Sequence, residues 1–200
     1  MTAGLPGKDA VVVGRLALLL ALVTLVASTL VGCAGGGRAD LSTPDPLNTR
    51  AMLQELGGDW SGYLEYIDFQ SGEPVRLPAR AYMDPADREP VLTRSLAFTD
   101  PGYVVESFDV VVLEGERMTE ITTVDGRPEV TSHRVVFREY RKPRDWTLVL
   151  QRMGEDDGQA VEIRLTQTLK GKVFTSTRDV RPEGQNAFAF RNRIRVQRVD

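Results

Sequence analysis

The sequence has few of the residues from which most catalytic and metal sites are built. Its 200 residues include one cysteine, Cys33, and one histidine, His133. One cysteine excludes an internal disulfide, a cysteine-based zinc site and a C-x-x-C redox motif. One histidine makes the common hydrolytic constellations hard to assemble, and no G-x-S-x-G, H-E-x-x-H or phosphate-binding glycine loop occurs. We therefore expect a non-catalytic protein without a metal or cofactor, although a pair of facing carboxylates, which no motif would reveal, stays open.

An excess of positive charge is also lacking. The formal net charge is −3, and it becomes −4 without residues 1–32, which hold Lys8, Asp9 and Arg15. Nucleic-acid-binding domains usually carry a clear basic excess. The sequence therefore predicts no nucleic-acid partner.

Long apolar runs are absent except near the amino terminus. Lys8 and Arg15 precede the apolar segment 16–27, which has the length of a signal-peptide core. The full run to Val31 is slightly shorter than the roughly 18 to 20 residues of a spanning helix, so an uncleaved membrane anchor is the alternative. The end of the run favours the signal peptide.

Leu30-Val31-Gly32-Cys33 resembles the lipobox of bacterial lipoproteins at all four positions. The resemblance implies that the Cys33 thiol receives a diacylglyceryl group, that the leader is removed before Cys33 and that the new amino terminus is acylated. Such a lipid would be the link to the membrane. Because Ala34, not aspartate, follows the cysteine, the resemblance also implies the outer membrane, facing the periplasm, if the organism has two membranes.

The composition then changes twice and divides the chain into three parts. We predict a lipoprotein signal peptide at 1–32, the lipidated cysteine with a flexible tether at 33–45 and a single domain at 46–200. Residues 34–43 (AGGGRADLST) are small, polar and glycine-rich, as in flexible linkers. Asp45 and Pro46 have the chemistry of a helix start, and Gly57-Gly58 that of a helix end, which predicts one helix over 46–56.

From Trp60 onward the apolar residues recur with period two, and turn signals occur every ten to fifteen residues. About ten strands follow, and short turns between long strands favour an antiparallel meander. Closing the meander removes its unpaired edges. The fold class predicted is all-β, an up-and-down barrel of about ten strands with one short amino-terminal helix. The outward positions are charged, which favours a soluble barrel over a membrane-spanning one; they are Arg76, Arg80, Glu162, Arg164, Arg191, Arg193 and Arg195.

The segment Gly58-Asp59-Trp60 resembles the G-x-W start of the first strand in lipocalins and related calycin barrels. The resemblance implies that Trp60 closes one barrel end and that an arginine late in the last strand packs over it. Arg191, Arg193 and Arg195 are the candidates. About ten strands fits fatty-acid-binding or nitrobindin-like barrels better than the eight of lipocalins. Nitrobindin-like barrels bind haem through a late histidine, whereas His133 lies in a middle strand, so haem is not supported.

Three polar residues occur where the alternation predicts an inward direction: Arg94, Gln167 and Asn192. Buried polar groups need hydrogen-bond partners, and the head of a ligand could supply them. The alternative is that each residue lies at a barrel mouth or a bulge and is solvated. The sequence thus predicts a lipid-anchored envelope protein whose barrel binds a small apolar or amphipathic molecule. The second interpretation is an envelope interaction or assembly module that uses the barrel exterior and has no internal ligand.

Overall fold

The computed structural model describes residues 46–68, 71–100, 102–124 and 127–199. The predicted signal peptide, the lipobox with Cys33, the tether and the helix start at Asp45 lie outside the described residues. Within them, no helix is both long and apolar enough to cross a membrane.

One helix and ten strands form the described part of the chain. The helix α1 spans Pro46–Gln54, two residues shorter than predicted, because residues 55 and 56 form a turn. The strands are β1 Gly58–Ile67, β2 Pro74–Pro85, β3 Val91–Asp100, β4 Tyr103–Glu114, β5 Arg117–Val124, β6 Arg127–Lys142, β7 Asp145–Asp156, β8 Gln159–Lys170, β9 Val173–Pro182 and β10 Ala189–Arg198.

Each strand pairs antiparallel with the next, and β10 returns to pair with β1, which closes the barrel. The predicted all-β up-and-down barrel is confirmed. Its turns fall at the predicted signals because glycine tolerates the left-handed backbone that tight turns need. Gly115 between β4 and β5 has a φ of 54°, and Gly171 between β8 and β9 has a φ of 62°.

The strand register defines an inner face, and α1 covers one end of it. At this end an apolar core fills the barrel, with Trp146, Leu148 and Leu169 almost completely buried. Trp60 and Trp146 lie on either side of Phe174, with ring centroids 6.4 and 6.2 Å away. Met52 and Leu53 of the helix and Leu56 of the following turn belong to the same core. The apolar face of the helix therefore forms the plug of the barrel.

The carboxyl-terminal strand departs from simple alternation. A β-bulge between Phe190 and Asn192 shifts the register with β9 and moves the preceding residues to the other face. Phe190 therefore lies outside, 5.7 Å from the Arg193 guanidinium, although the alternation places it inside. Arg191, predicted on the outer face, contacts the buried Asp156 instead. Alternation cannot reveal the bulge, which inverts the assignment of both residues.

Candidate functional site

The predicted barrel-end motif lies beside the helix plug. Gly58 adopts a φ of 111°, and the Trp60 indole donates a 2.8 Å hydrogen bond to the Leu56 carbonyl oxygen. The guanidinium of Arg198 stacks over the Trp60 ring at 4.8 Å and donates to the Glu55 carbonyl oxygen. The arginine over Trp60 is therefore none of the three candidates from the sequence. It is Arg198, the final residue of β10, three positions after Arg195.

The Glu55 carboxylate ties this closed end together. Its oxygens accept hydrogen bonds from the Tyr140 hydroxyl at 2.6 Å, the Arg144 backbone N–H at 2.8 Å and the Trp146 indole at 3.1 Å. The bond to the Glu55 carboxylate favours the protonated phenol and raises the pKa of Tyr140 to about 12. The carboxylate thus joins the helix end to β6, to β7 and to the turn between them.

Away from the plug the interior is less completely filled. Leu169 on β8 and Val196 on β10 face inward near the helix and are fully buried. Leu165, four residues before Leu169, and Ile194, two residues before Val196, face the same interior but are partly exposed. A solidly packed barrel would bury these leucine and isoleucine side chains too. Farther from α1, Val161, Ile163 and Val180 form a second buried apolar cluster, and Leu165 and Ile194 remain partly exposed.

Arg94 faces this interior from β3 but is already bound. Its guanidinium forms an ion pair with Asp109 on β4 at 2.9 Å and another with Glu120 on β5. Thr122 donates a further 2.7 Å hydrogen bond to Asp109. Burial disfavours the charged guanidinium, but the two carboxylates outweigh it and hold the pKa of Arg94 above its ordinary value. The facing carboxylates that the sequence left open thus exist here as partners of one arginine.

The other two predicted lining residues lie elsewhere on the wall. Gln167 is buried on β8, opposite Leu148 and Ser176. Asn192 on β10 stands between Tyr66 of β1 and Arg178 of β9 in the register. β3 and β8 are five strands apart in the closed order, so Arg94 and Gln167 lie on opposite sides of the barrel wall. The three predicted residues face one interior without forming one cluster.

A different group of inward polar residues forms a cluster, and the sequence reading missed it. Arg152 on β7, Arg178 on β9 and His133 on β6 are mutually close enough for their charges to interact. Burial lowers the pKa of Arg178 to about 10, with Asp156 opposing the effect and Arg152 and Arg191 adding to it. Burial, Arg152 and Arg178 together lower the pKa of His133 to about 4. At neutral pH the imidazole is therefore uncharged.

The period-two alternation of β7 and β9 predicts inward positions for both arginines of this cluster. Arg152 continues the inward series of Leu148 and Leu150, and Arg178 lies between the inward Phe174 and Val180. The same test that selected Arg94, Gln167 and Asn192 would have selected both arginines. What alternation could not provide is their proximity, which depends on barrel closure.

Acidic partners for the cluster are limited among the described residues. The buried Asp156 lies 3.0 Å from Arg191 and 3.8 Å from Arg178. Glu120 attracts Arg152 at longer range but is the ion-pair partner of Arg94. No group of three or more potential metal ligands forms among the described residues. The cluster is therefore a concentration of buried guanidinium groups with incomplete neutralisation.

The wall is open beside this cluster. Pairing of β6 with β7 begins at Arg134 and Gln151, so residues 127–133 and 152–156 have no partners across that seam. A groove of about 650 Å³ runs along the seam, and the inward residues His133 and Arg152 form part of its lining. The groove connects the outer surface to the polar cluster.

Comparison with known proteins supports the architecture. No known protein family matches the chain, and no curated protein matches it. A crystal structure, that of Rv2717c from M. tuberculosis, aligns over 76% of this chain and 98% of its own with a TM-score of 0.54. The barrel is similar to Rv2717c. The sequence identity to Rv2717c is 12%, so the likeness shows the fold alone.

Proposed function

We propose that this protein is a lipid-anchored cell-envelope protein whose barrel binds a small amphipathic molecule without transforming it. The observation that carries the proposal is the division of the barrel interior. One end is filled by the helix plug, while farther along the interior the partly exposed Leu165 and Ile194 lie near inward arginines. Small-molecule sites typically combine an apolar wall with a few convergent polar groups.

The anchor and the location rest on the sequence. Leu30-Val31-Gly32-Cys33 supplies the lipobox, and Ala34 favours the outer membrane, facing the periplasm. Two or more acyl chains give an anchor that does not readily dissociate, since each buried methylene contributes about 0.8 kcal/mol. The Trp60 and Arg198 contact supports a lipocalin-like closure of the barrel end.

Native mass spectrometry and lipid extraction of the protein purified from its own cells test the binding proposal. We expect a reproducible small-molecule adduct that unfolding releases. Protein that is consistently empty would contradict ligand binding.

The anchor has a separate test. A Cys33→Ala variant should lose metabolic palmitate labelling and accumulate as the larger precursor. A variant that stays membrane-bound at the wild-type size would show that the lipobox interpretation is wrong.

A specific observation also supports the second function, an envelope interaction module. A groove of about 1110 Å³ crosses the outer face of β1 to β5. Tyr82 and Phe108, each about half exposed, stand on either side of Ser95 in the register there. If this function is the right one, Tyr82→Ser with Phe108→Ser should abolish a cross-linked complex in cells and leave any bound small molecule in place.

A further inference from the structure

We infer that the ligand carries an anionic head group, a carboxylate or a phosphate, which binds between Arg152, Arg178 and His133 and reaches them through the opening between β6 and β7. This inference rests on the proposed ligand-binding function and specifies the chemistry of the ligand. It follows from the hydrogen-bonding state of the three residues, from the local charge and from the position of the opening.

Three buried guanidinium nitrogens and one buried imidazole nitrogen of this cluster lack hydrogen-bond partners in the described part of the chain. Nε and Nη2 of Arg178, Nε of Arg152 and Nδ1 of His133 are buried and have no hydrogen-bond partner among the described residues. His133 is 3% exposed, so little of its ring contacts bulk water. Buried donors without partners are costly, and they cluster at sites where a ligand completes the bonding. An oxyanion could accept from both guanidinium groups, and the neutral imidazole can donate through Nδ1–H.

The interior around these residues holds more guanidinium groups than carboxylates. Arg152, Arg178 and Arg191 face one interior region in which Asp156 is the carboxylate in contact, while Glu129 faces the interior from β6. Glu120 and Asp109 form ion pairs with Arg94, and Glu120 also attracts Arg152 at longer range. Three guanidinium groups against Asp156 and Glu129, whose buried Oε2 also has no hydrogen-bond partner among the described residues, leave one excess positive charge around Arg152 and Arg178. One anionic group would neutralise that charge where burial makes it most unfavourable.

The local backbone leaves room for the Arg152 head group. A Cβ atom added at Gly154 would collide with Nη1 of Arg152 and would lie 2.7 Å from Cδ1 of Ile163. Any larger residue at position 154 would therefore displace the guanidinium. Glycine at this position keeps the Arg152 head group beside the seam, where Nη1 also donates a 3.2 Å hydrogen bond to the Met153 carbonyl oxygen.

The opening itself carries positive charge. Arg117 and Arg134 are directly opposite each other on β5 and β6, and both line the groove that leads to His133 and Arg152. Like charges in directly opposed positions destabilise a sheet, and an approaching anion would relieve that repulsion. Glu116 and Glu162 also line the groove, but Glu162 is held in an ion pair by Arg181.

The apolar part of the ligand has a place beyond the head group. Leu165 precedes Gln167 on the inner face of β8 and is directly opposite Arg178 in the register; Ile194 follows Asn192 on β10. Both apolar side chains are partly uncovered. An alkyl chain attached to the bound head group would cover this surface. The ligand class is therefore a single-headed acidic amphiphile.

Titration calorimetry on the mature, lipidated protein in lipid nanodiscs tests the inference, with empty nanodiscs as the blank. The probes are octanoate, octyl phosphate, octanol and octyltrimethylammonium, which share a chain and differ in the head group. We expect the tighter of the two anions to bind about tenfold or more tightly than octanol, because hydrogen bonds to charged groups exceed neutral ones by that order. We expect no binding of octyltrimethylammonium. The ranking of octanoate and octyl phosphate identifies the head group.

Variants locate the site. Arg178→Met and Arg152→Met should each weaken anion binding about tenfold and leave the octanol affinity unchanged. Arg178→Lys, which keeps the charge but not the planar fork, should lie between wild type and Arg178→Met. Arg164→Met on the outer face of β8 is the matched control and should bind like wild type.

The outcomes separate the inference from the function on which it rests. If octanol binds as tightly as both anions, or if the arginine variants bind the anions like wild type, the anionic head group is wrong while the ligand-binding barrel stands. If no probe binds and the protein from its own cells is also empty, both proposals fail. Should a methionine variant not fold, the comparison of octanoate, octyl phosphate and octanol on the wild-type protein still decides the question.

Discussion

Removing one buried arginine should make the empty barrel more stable. The Arg178 side chain is 16% exposed, and burial lowers its pKa from 12.5 to about 10. Because each pKa unit corresponds to 1.36 kcal/mol, that difference amounts to about 3 kcal/mol of unfavourable interaction in the charged state. Water penetration and side-chain relaxation reduce the figure. We therefore expect Arg178→Met to raise the free energy of unfolding by about 1 to 3 kcal/mol.

The Arg178→Met substitution leaves no additional buried carboxylate of the described cluster without an ion-pair partner. Asp156 keeps its 3.0 Å contact with Arg191, and methionine can fill an irregular apolar space. For a domain of this size the gain corresponds to a rise in Tm of about 2 to 4 °C per kcal/mol. Urea unfolding and thermal denaturation, both followed by tryptophan fluorescence in the absence of added ligand, measure it.

The control is Arg164→Met on the outer face. Arg164 is 35% exposed and pairs with Asp179 at 2.9 Å, so its loss should change stability by about 1 kcal/mol or less, in the destabilising direction. A clear loss of stability in Arg178→Met, equal to or larger than that of the control, would refute the reasoning. It would mean that Arg178 is well satisfied in the empty barrel.

Three further predictions concern other parts of the molecule. The folded barrel holds the pKa of His133 near 4, whereas in the unfolded chain the imidazole has its ordinary pKa of 6.5 and is protonated at a higher pH. The free energy of unfolding should therefore fall by about 2 kcal/mol from pH 7 to pH 5. Urea titrations should show that His133→Gln loses this pH dependence. Glu55→Gln should bring the pKa of Tyr140 down from about 12 towards its ordinary value, as ultraviolet difference titration would show; an unchanged value would contradict the Glu55 assignment. In Gly62→Ala the new methyl group would meet the backbone of β10, with Val196 Cα at 2.8 Å, so we expect a loss of at least about 2 kcal/mol in chemical denaturation; wild-type stability would exclude this packing.

The architecture was readable from the sequence because strands and turns are local. The period-two alternation of β8 and the glycine-containing turns at 115 and 171 each follow from a few neighbouring residues. Barrel closure then follows from the need to pair the outer edges of β1 and β10. Local periodicity failed at the bulge in β10, where one extra residue placed Phe190 outside and Arg191 against Asp156.

The candidate site was much less readable, because it depends on distances across the barrel. The alternation predicts Arg94 as a ligand-binding residue. In the fold, Arg94 forms ion pairs with Asp109 and Glu120, which lie on strands that only the folded register brings together. Arg152 and Arg178 follow the same inward alternation as Arg94, yet their shortage of partners is a property of the closed barrel. Alternation predicts which side chains point inward, but the strand register and the closure of the barrel determine which of them form ion pairs with carboxylates.

The pairing of β1 with β10 also has a kinetic consequence. Trp60 pairs with Arg198 in the register, so the contact that completes the barrel joins residues 138 positions apart. Contacts between residues so distant in the chain form late and slow folding, because a long loop must be ordered first. Until β10 arrives, β1 and β9 each expose an unpaired edge that could pair with another chain. The last ten residues of the barrel thus protect a newly made chain against aggregation, and truncation within β10 should produce insoluble protein even though the helix plug and nine strands remain.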